Sequence, residues 1–132
     1  MIREPHVIAP AAGRRHVHAP VRPRISMVVA STRSNARLAA YLDALMPRCR
    51  VLGIEIVVVR ACDAAELPGF VRMYPAVRFV EAPEGSSVAA LKAAGMAAAA
   101  GDVVGLTDDD ESIAPDWLHG LVEAWFHRAH AR

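Results

Sequence analysis

A short apolar run at residues 103–107 (VVGLT) ends directly in three adjacent carboxylates, Asp108, Asp109 and Asp110, with Pro115 close behind. No other stretch restricts the fold as tightly. The run reads as a buried strand. Pro115 reads as the first position of an amphipathic helix, where its missing N–H removes no helical bond. Three neighbouring acids repel one another, so the turn between strand and helix is expected to be solvated rather than packed. A divalent cation would remove that repulsion, and hard cations such as Mg2+ or Mn2+ prefer carboxylate oxygens. The cluster also stands where open α/β sheets bind ligands, beyond the carboxyl end of a strand. A solvated acidic turn with no ligand is the simpler alternative.

The preceding chain supplies the companions such a strand needs. Residues 25–30 (ISMVVA) and 54–59 (IEIVVV) are continuous β-branched runs, the pattern of strands buried on both faces. Val77, Phe79 and Glu81 mark a shorter third strand. Ser34 is a candidate N-cap for a helix carrying Leu38, Leu42 and Leu45 at helical spacing, with Pro47 expected near its end. Residues 61–69 read as a loop or short helix broken by Pro68 and Gly69. Ser86 and Ser87 suit the N-cap of an Ala-rich helix at 88–100, and Gly101 is placed where a left-handed C′ residue is expected. Leu118, Leu121, Val122 and Trp125 give the last helix one apolar face. The alternation predicts an α/β fold: a Rossmann-like, mostly parallel sheet of about four strands with helices on both faces.

Composition narrows the partners. The chain has 132 residues, 54% of them hydrophobic but only 5% aromatic, so one core built from Ala, Val, Leu and Ile is expected. The net charge of +1 argues against a general nucleic-acid binder. It hides an asymmetry, because residues 1–24 hold five Arg against one Glu. That segment is also rich in Pro and lacks a sustained period, and it reads as a disordered cationic leader, with the folded domain at 25–132. His16 and His18 read as solvated tail residues. Cys49 and Cys62 form no metal-ligand spacing and read as idle thiols. Residues 88–100 are the most apolar stretch, but Lys92 and Gly95 interrupt it, so no integral membrane segment is expected. The reading is cytoplasmic.

Four segments together resemble the nucleotide-sugar-binding half of a family 2, GT-A-fold glycosyltransferase. They are ISMVVAST, IEIVVV, GSSVAALKAAGMAAAAGD and VVGLTDDDESIAPDWLHGLV. The resemblance implies binding of a nucleotide-diphosphate sugar with Mn2+ or Mg2+ at a DxD motif. Asp108 matches the first acid, on the ribose or sugar side. It is placed with Asp110, which matches the last acid, at the metal. Asp109 lies between them and shares either role. Lys92 matches the basic residue on the preceding helix, and Ala30, Ser31 and Thr32 match the loop lying against the nucleotide. Lys92 as a solvated helix position, and Trp117 and Trp125 as packing residues, are the plainer readings. The chain departs from the family pattern at Arg60, Ala61 and Cys62, where an acid often reads the base, and at Ala93, where Asn is frequent. No residue after Asp110 matches the acceptor-side general base. A partner chain or second copy carrying the acceptor half is therefore implied. A non-catalytic nucleotide- or metal-binding subunit, or a truncated remnant of the family, is the alternative.

Two rival motifs fit less well. Asp108, Asp110, Ser112 and Ile113 also look like a haloacid-dehalogenase phosphatase motif, but no Lys follows it in this chain. An EF-hand fails because Ala114 and His119 replace the required Gly and Glu.

Overall fold

A computed structural model describes residues 6–8, 24–32, 34–61, 65–109 and 115–129. The elements are β1 (His6–Ile8), β2 (Ile25–Ser31), α1 (Asn35–Leu52), β3 (Ile54–Ala61), α2 (Leu67–Met73), β4 (Arg78–Ala82), α3 (Val88–Ala98), β5 (Val103–Asp108) and α4 (Pro115–Ala129). They form one five-stranded sheet in the order β1-β5-β2-β3-β4. The four strands β2 to β5 are parallel, and β1 pairs antiparallel on β5.

Strand alternation sorts the core into two layers. Ile25, Met27 and Val29 of β2 join Ile54, Ile56 and Val58 of β3 on one side, against Leu38, Leu42 and Leu45 of α1, Phe70 of α2 and Leu118 and Leu121 of α4. Val28, Ala30, Val57 and Val59 face the other way, against Leu91 of α3. Helices therefore cover both faces, as expected. The alanines of α3 allow a close approach, and at Gly95 an added Cβ would run into the Val28 side chain. Trp117 and Trp125 pack within the α1-side core, Trp117 against Gly105 of β5.

Several local expectations hold. The Ser34 side chain accepts from the Arg37 N–H at 3.2 Å, and the Ser87 side chain accepts from the Ala90 N–H at 3.1 Å, so both cap their helices. Others need correction. Residues 6–8 lie in the leader expected to be disordered, yet they form β1 on the sheet edge. The rest of that leader, with His16 and His18, lies outside the described residues. Pro47 does not end α1, which runs on to a left-handed Gly53 at φ 72°. An interior Pro costs a helix about 3 kcal/mol, but the buried Leu45 and Cys49 on either side of it hold this helix on the sheet. Gly101 is not a left-handed cap, since Gly53 and Gly85 are the positive-φ glycines among the described residues. Its lack of a side chain serves close packing instead, because a Cβ there would come within 2.6 Å of the Ser26 backbone nitrogen.

Candidate functional site

The chain moves outward from β2 through β3 to β4, then returns through α3 to add β5 on the other side of β2. Strand order thus reverses between β2 and β5, the position at which open α/β sheets place ligands. The two strands end together there, with Ala30 opposite Asp108. Of the residues expected at the site from sequence, Ala30, Ser31, Thr32, Asp108 and Asp109 lie at these ends, and Lys92 lies in α3.

Asp108 is the last residue of β5 and is half-buried. Asp109 follows it in the turn and is fully buried, at 0% exposure. The expectation that the acids would all sit in a solvated turn fails at this residue. Its Oδ2 accepts from the Ser31 hydroxyl at 2.7 Å and its Oδ1 from the Thr32 N–H at 3.1 Å. Its own N–H donates to the Ala30 carbonyl at 3.3 Å. Ser31 is buried and Thr32 exposed. The Ala30 side chain lies in the α3-side core, so Ala30 reaches the site through its backbone. Lys92 is half-buried on α3, roughly 6 Å along the axis from Val88 at a rise of about 1.5 Å per residue. Because α3 returns from the end of β4 to the start of β5, its first turns stand at the same edge of the sheet as Asp108. Asp110, Glu111, Cys62 and Asp63 lie outside the described residues.

Sequence reasoning treated Arg60 only as a departure from a pattern. In the fold it is a buried member of the site, at 6% exposure. Its Nη1 donates to the Ser31 hydroxyl at 2.6 Å and its Nη2 to Asn35 Oδ1 at 2.6 Å. Nη2 also lies 3.7 Å from Glu66 Oε1, and the guanidinium stands 5.5 Å from the Phe70 ring centroid. The signal was present in the sequence. In IEIVVVRA, residues 54, 56, 58 and 60 share one face, so Arg60 had to end a buried row and required an anionic partner. Tyr41 was noted in α1 but given no role. Its hydroxyl sits 3.3 Å from the Thr107 hydroxyl beneath the acids. Burial pushes the Tyr41 phenol up, the bond to Thr107 opposes that, and the charges of Asp108 and Asp109 add to it. Tyr41 therefore remains a neutral hydroxyl through the ordinary pH range.

A mostly parallel α/β sheet with acids at its strand-order reversal defines a Rossmann-like class of architecture. The sequence profile described as "Glycosyl transferase family 2" matches residues 26–131, and the chain belongs to that family. No curated protein matches the chain. Among solved structures, it is similar to the mannosyltransferase PcManGT from Pyrobaculum calidifontis, determined in complex with GDP-Man and Mn2+. The TM-score is 0.54 at 21% identity, over 90% of this chain and 34% of that one. The likeness establishes a GT-A, Rossmann-like fold, and the chain spans about a third of the length of that structure.

Proposed function

We propose that this domain binds a nucleotide-diphosphate sugar at the ends of β2 and β5 and serves its transfer to an acceptor. Family membership supports the reaction class. The observation that carries the placement is Asp108, standing at the reversal of strand order opposite Ala30, with the adjacent Asp109 holding the Thr32 N–H.

Asp108 and Asp110 are the residues proposed to hold Mn2+ or Mg2+, a hard cation suited to a carboxylate donor set. The cation would offset charge on the departing diphosphate. Exposed Thr32 would lie against the nucleotide, and Lys92 at the start of α3 would face its phosphates. Transfer also requires an acceptor hydroxyl to lose a proton. A positioned base contributes about 10²–10⁴-fold to such a step. We place that base, and the binding of an acceptor, outside residues 25–132.

Calorimetric titration with UDP-, GDP- and dTDP-sugars, with and without Mn2+, tests this reading. One donor should bind, more tightly with the cation. Asp108→Asn and Asp110→Ala should each weaken the cation-dependent part by at least tenfold while the folded state persists. Equal binding by these variants and the parent would overturn the placement.

A further inference from the structure

Asp108 and Asp109 face opposite sides of the sheet. Thr107 meets Tyr41 of α1, so alternation turns Asp108 toward the α3 side. Asp109 returns to the α1 side, where it meets Ser31. Both Asp109 oxygens are engaged by the chain itself and the residue has no exposed surface. A carboxylate removed from water in this way needs a compensating charge and satisfied lone pairs. One hydroxyl supplies the link, since Ser31 donates to Asp109 and accepts from Arg60. Arg60 is in turn braced by Asn35 of α1 and by Glu66 and Phe70 around α2. The relay crosses three adjacent strand ends, from β5 through β2 to β3.

We propose that Arg60 and Asp109 are a positioning pair for the donor site. Through Ser31 they fix the Thr32 backbone against the end of β5. The middle acid of the triplet is thus spent on the loop, while Asp108 turns to the other side of the sheet. This rests on the donor-site reading above. Its physical advantage is preorganisation: the loop is ordered during folding, so binding does not bear that entropy.

The test is a double-mutant cycle on the full chain with Arg60→Met, Asp109→Asn and both together. Three quantities are read: thermal midpoint, Thr32 amide exchange by NMR, and affinity for a methylanthraniloyl-labelled nucleoside diphosphate with Mn2+, measured at low temperature where the variants are folded. Each single variant should speed Thr32 exchange and weaken the labelled nucleotide at least tenfold. The double variant should do less damage than the two singles added. If Arg60→Met does not fold, Arg60→Lys carries the comparison, retaining the charge and much of the affinity. Faster Thr32 exchange with nucleotide affinity unchanged would reduce the pair to a stabilising contact and overturn the proposal. Unchanged Thr32 exchange would also overturn it. Lost Mn2+-dependent binding in Asp109→Asn, with an unchanged or raised midpoint, would make Asp109 a metal ligand instead. If the parent protein binds no labelled nucleotide, the donor-site reading falls, and this proposal falls with it for that separate reason.

Discussion

The two ends of β2 solve one problem in two ways. Each carries a serine at 0% exposure, Ser26 near the start and Ser31 at the finish, and each serine is bonded to a carboxylate near an arginine. At the starting edge, Ser26 donates to Glu55 Oε1 at 2.5 Å and accepts from the Gly101 N–H at 2.8 Å. Glu55 Oε1 also accepts from the Ala100 N–H at 3.0 Å, while Arg24 donates to the Ala100 carbonyl. This cluster closes the connection from α3 into β5. Its charges remain in touch with water, with the Glu55 side chain 27% and the Arg78 side chain 56% exposed. At the finishing edge, Asp109 is sealed and the Arg60 side chain is only 7% exposed. The starting edge ties backbone down with a carboxylate that solvent still screens. The finishing edge buries a carboxylate and an arginine joined through one serine hydroxyl, which is costly to build and more costly to break.

Matched serine substitutions should break the comparison open most widely. Ser31→Ala removes the hydroxyl shared by two buried charges, and bonds to charged groups contribute about 1.5–3 kcal/mol each. A loss of about 3 kcal/mol is expected. Ser26→Ala leaves Glu55 with the Ala100 N–H and with water, so about half that loss is expected. Urea unfolding of the two variants measures both. Equal losses would mean that the two edges are alike and that burial does not set the difference.

A smaller effect per step is expected from alkali, and it separates the two edges by pH. Cys49 lies on α1 near the start of β3, at 1% exposure, and is a free thiol. Burial pushes its thiol from 9.0 up to about 12. The folded value exceeds the unfolded one, so its contribution to stability is whole below pH 9 and is lost as pH rises toward 12. The slope is about 1.4 kcal/mol per pH unit. Tyr41, near the finishing edge, behaves in the same sense but begins only above pH 10, where the unfolded phenol ionises. Unfolding curves from pH 8 to 11 should therefore lose stability from pH 9 in the parent and in Tyr41→Phe. In Cys49→Ala the loss should be delayed to about pH 10, after allowing for a lower baseline from the vacated volume.

Much of this fold is legible in the sequence because its signals are local or strictly periodic. ISMVVAS and IEIVVV announce buried strands without reference to any neighbour, and Ser34 and Ser87 cap the helices they precede. The errors lie where a distant partner decides. Pro47 is tolerated because the sheet holds α1 in place, and Gly101 is explained by the Ser26 backbone more than seventy residues earlier. The edge strand His6–Ile8 depends on pairing with β5, which the Pro- and Arg-rich composition of its surroundings conceals. The site divides in the same way. The placing of Asp108 and of Ser31 and Thr32 follows from strand ends. The burial of Asp109 does not, because its hydroxyl partner Ser31 and the Arg60 bonded to that hydroxyl are far away in sequence and arrive on different strands. Counting three acids as one charged turn overlooks the alternation that sends Asp108 and Asp109 to opposite faces.

The smallest effect expected is at Arg78, and it tests whether exposure alone separates the two arginines. Arg78 Nε lies 3.5 Å from Glu55 Oε2, with more than half of its side chain in solvent. Exposed pairs of this kind contribute about 0–1 kcal/mol, since water screens the charges and two long side chains lose freedom to meet. Removing Arg78 does not strand Glu55, whose other oxygen keeps the Ser26 hydroxyl and the Ala100 N–H. Arg78→Ala should therefore lower the unfolding free energy by less than about 1 kcal/mol. Raising salt to 1 M, where the Debye length is about 3 Å, should shrink even that difference. Nucleotide binding should be untouched, because Arg78 opens β4 at the edge opposite the acids. Arg60→Lys, measured beside it, keeps a charge but loses the two-pronged hold on Ser31 and Asn35, and should cost more. A loss at Arg78 as large as that at Arg60, and insensitive to salt, would show that the starting edge holds a buried ion pair too. The contrast between the two ends of β2 would then lie in which groups they bind rather than in how much water reaches them.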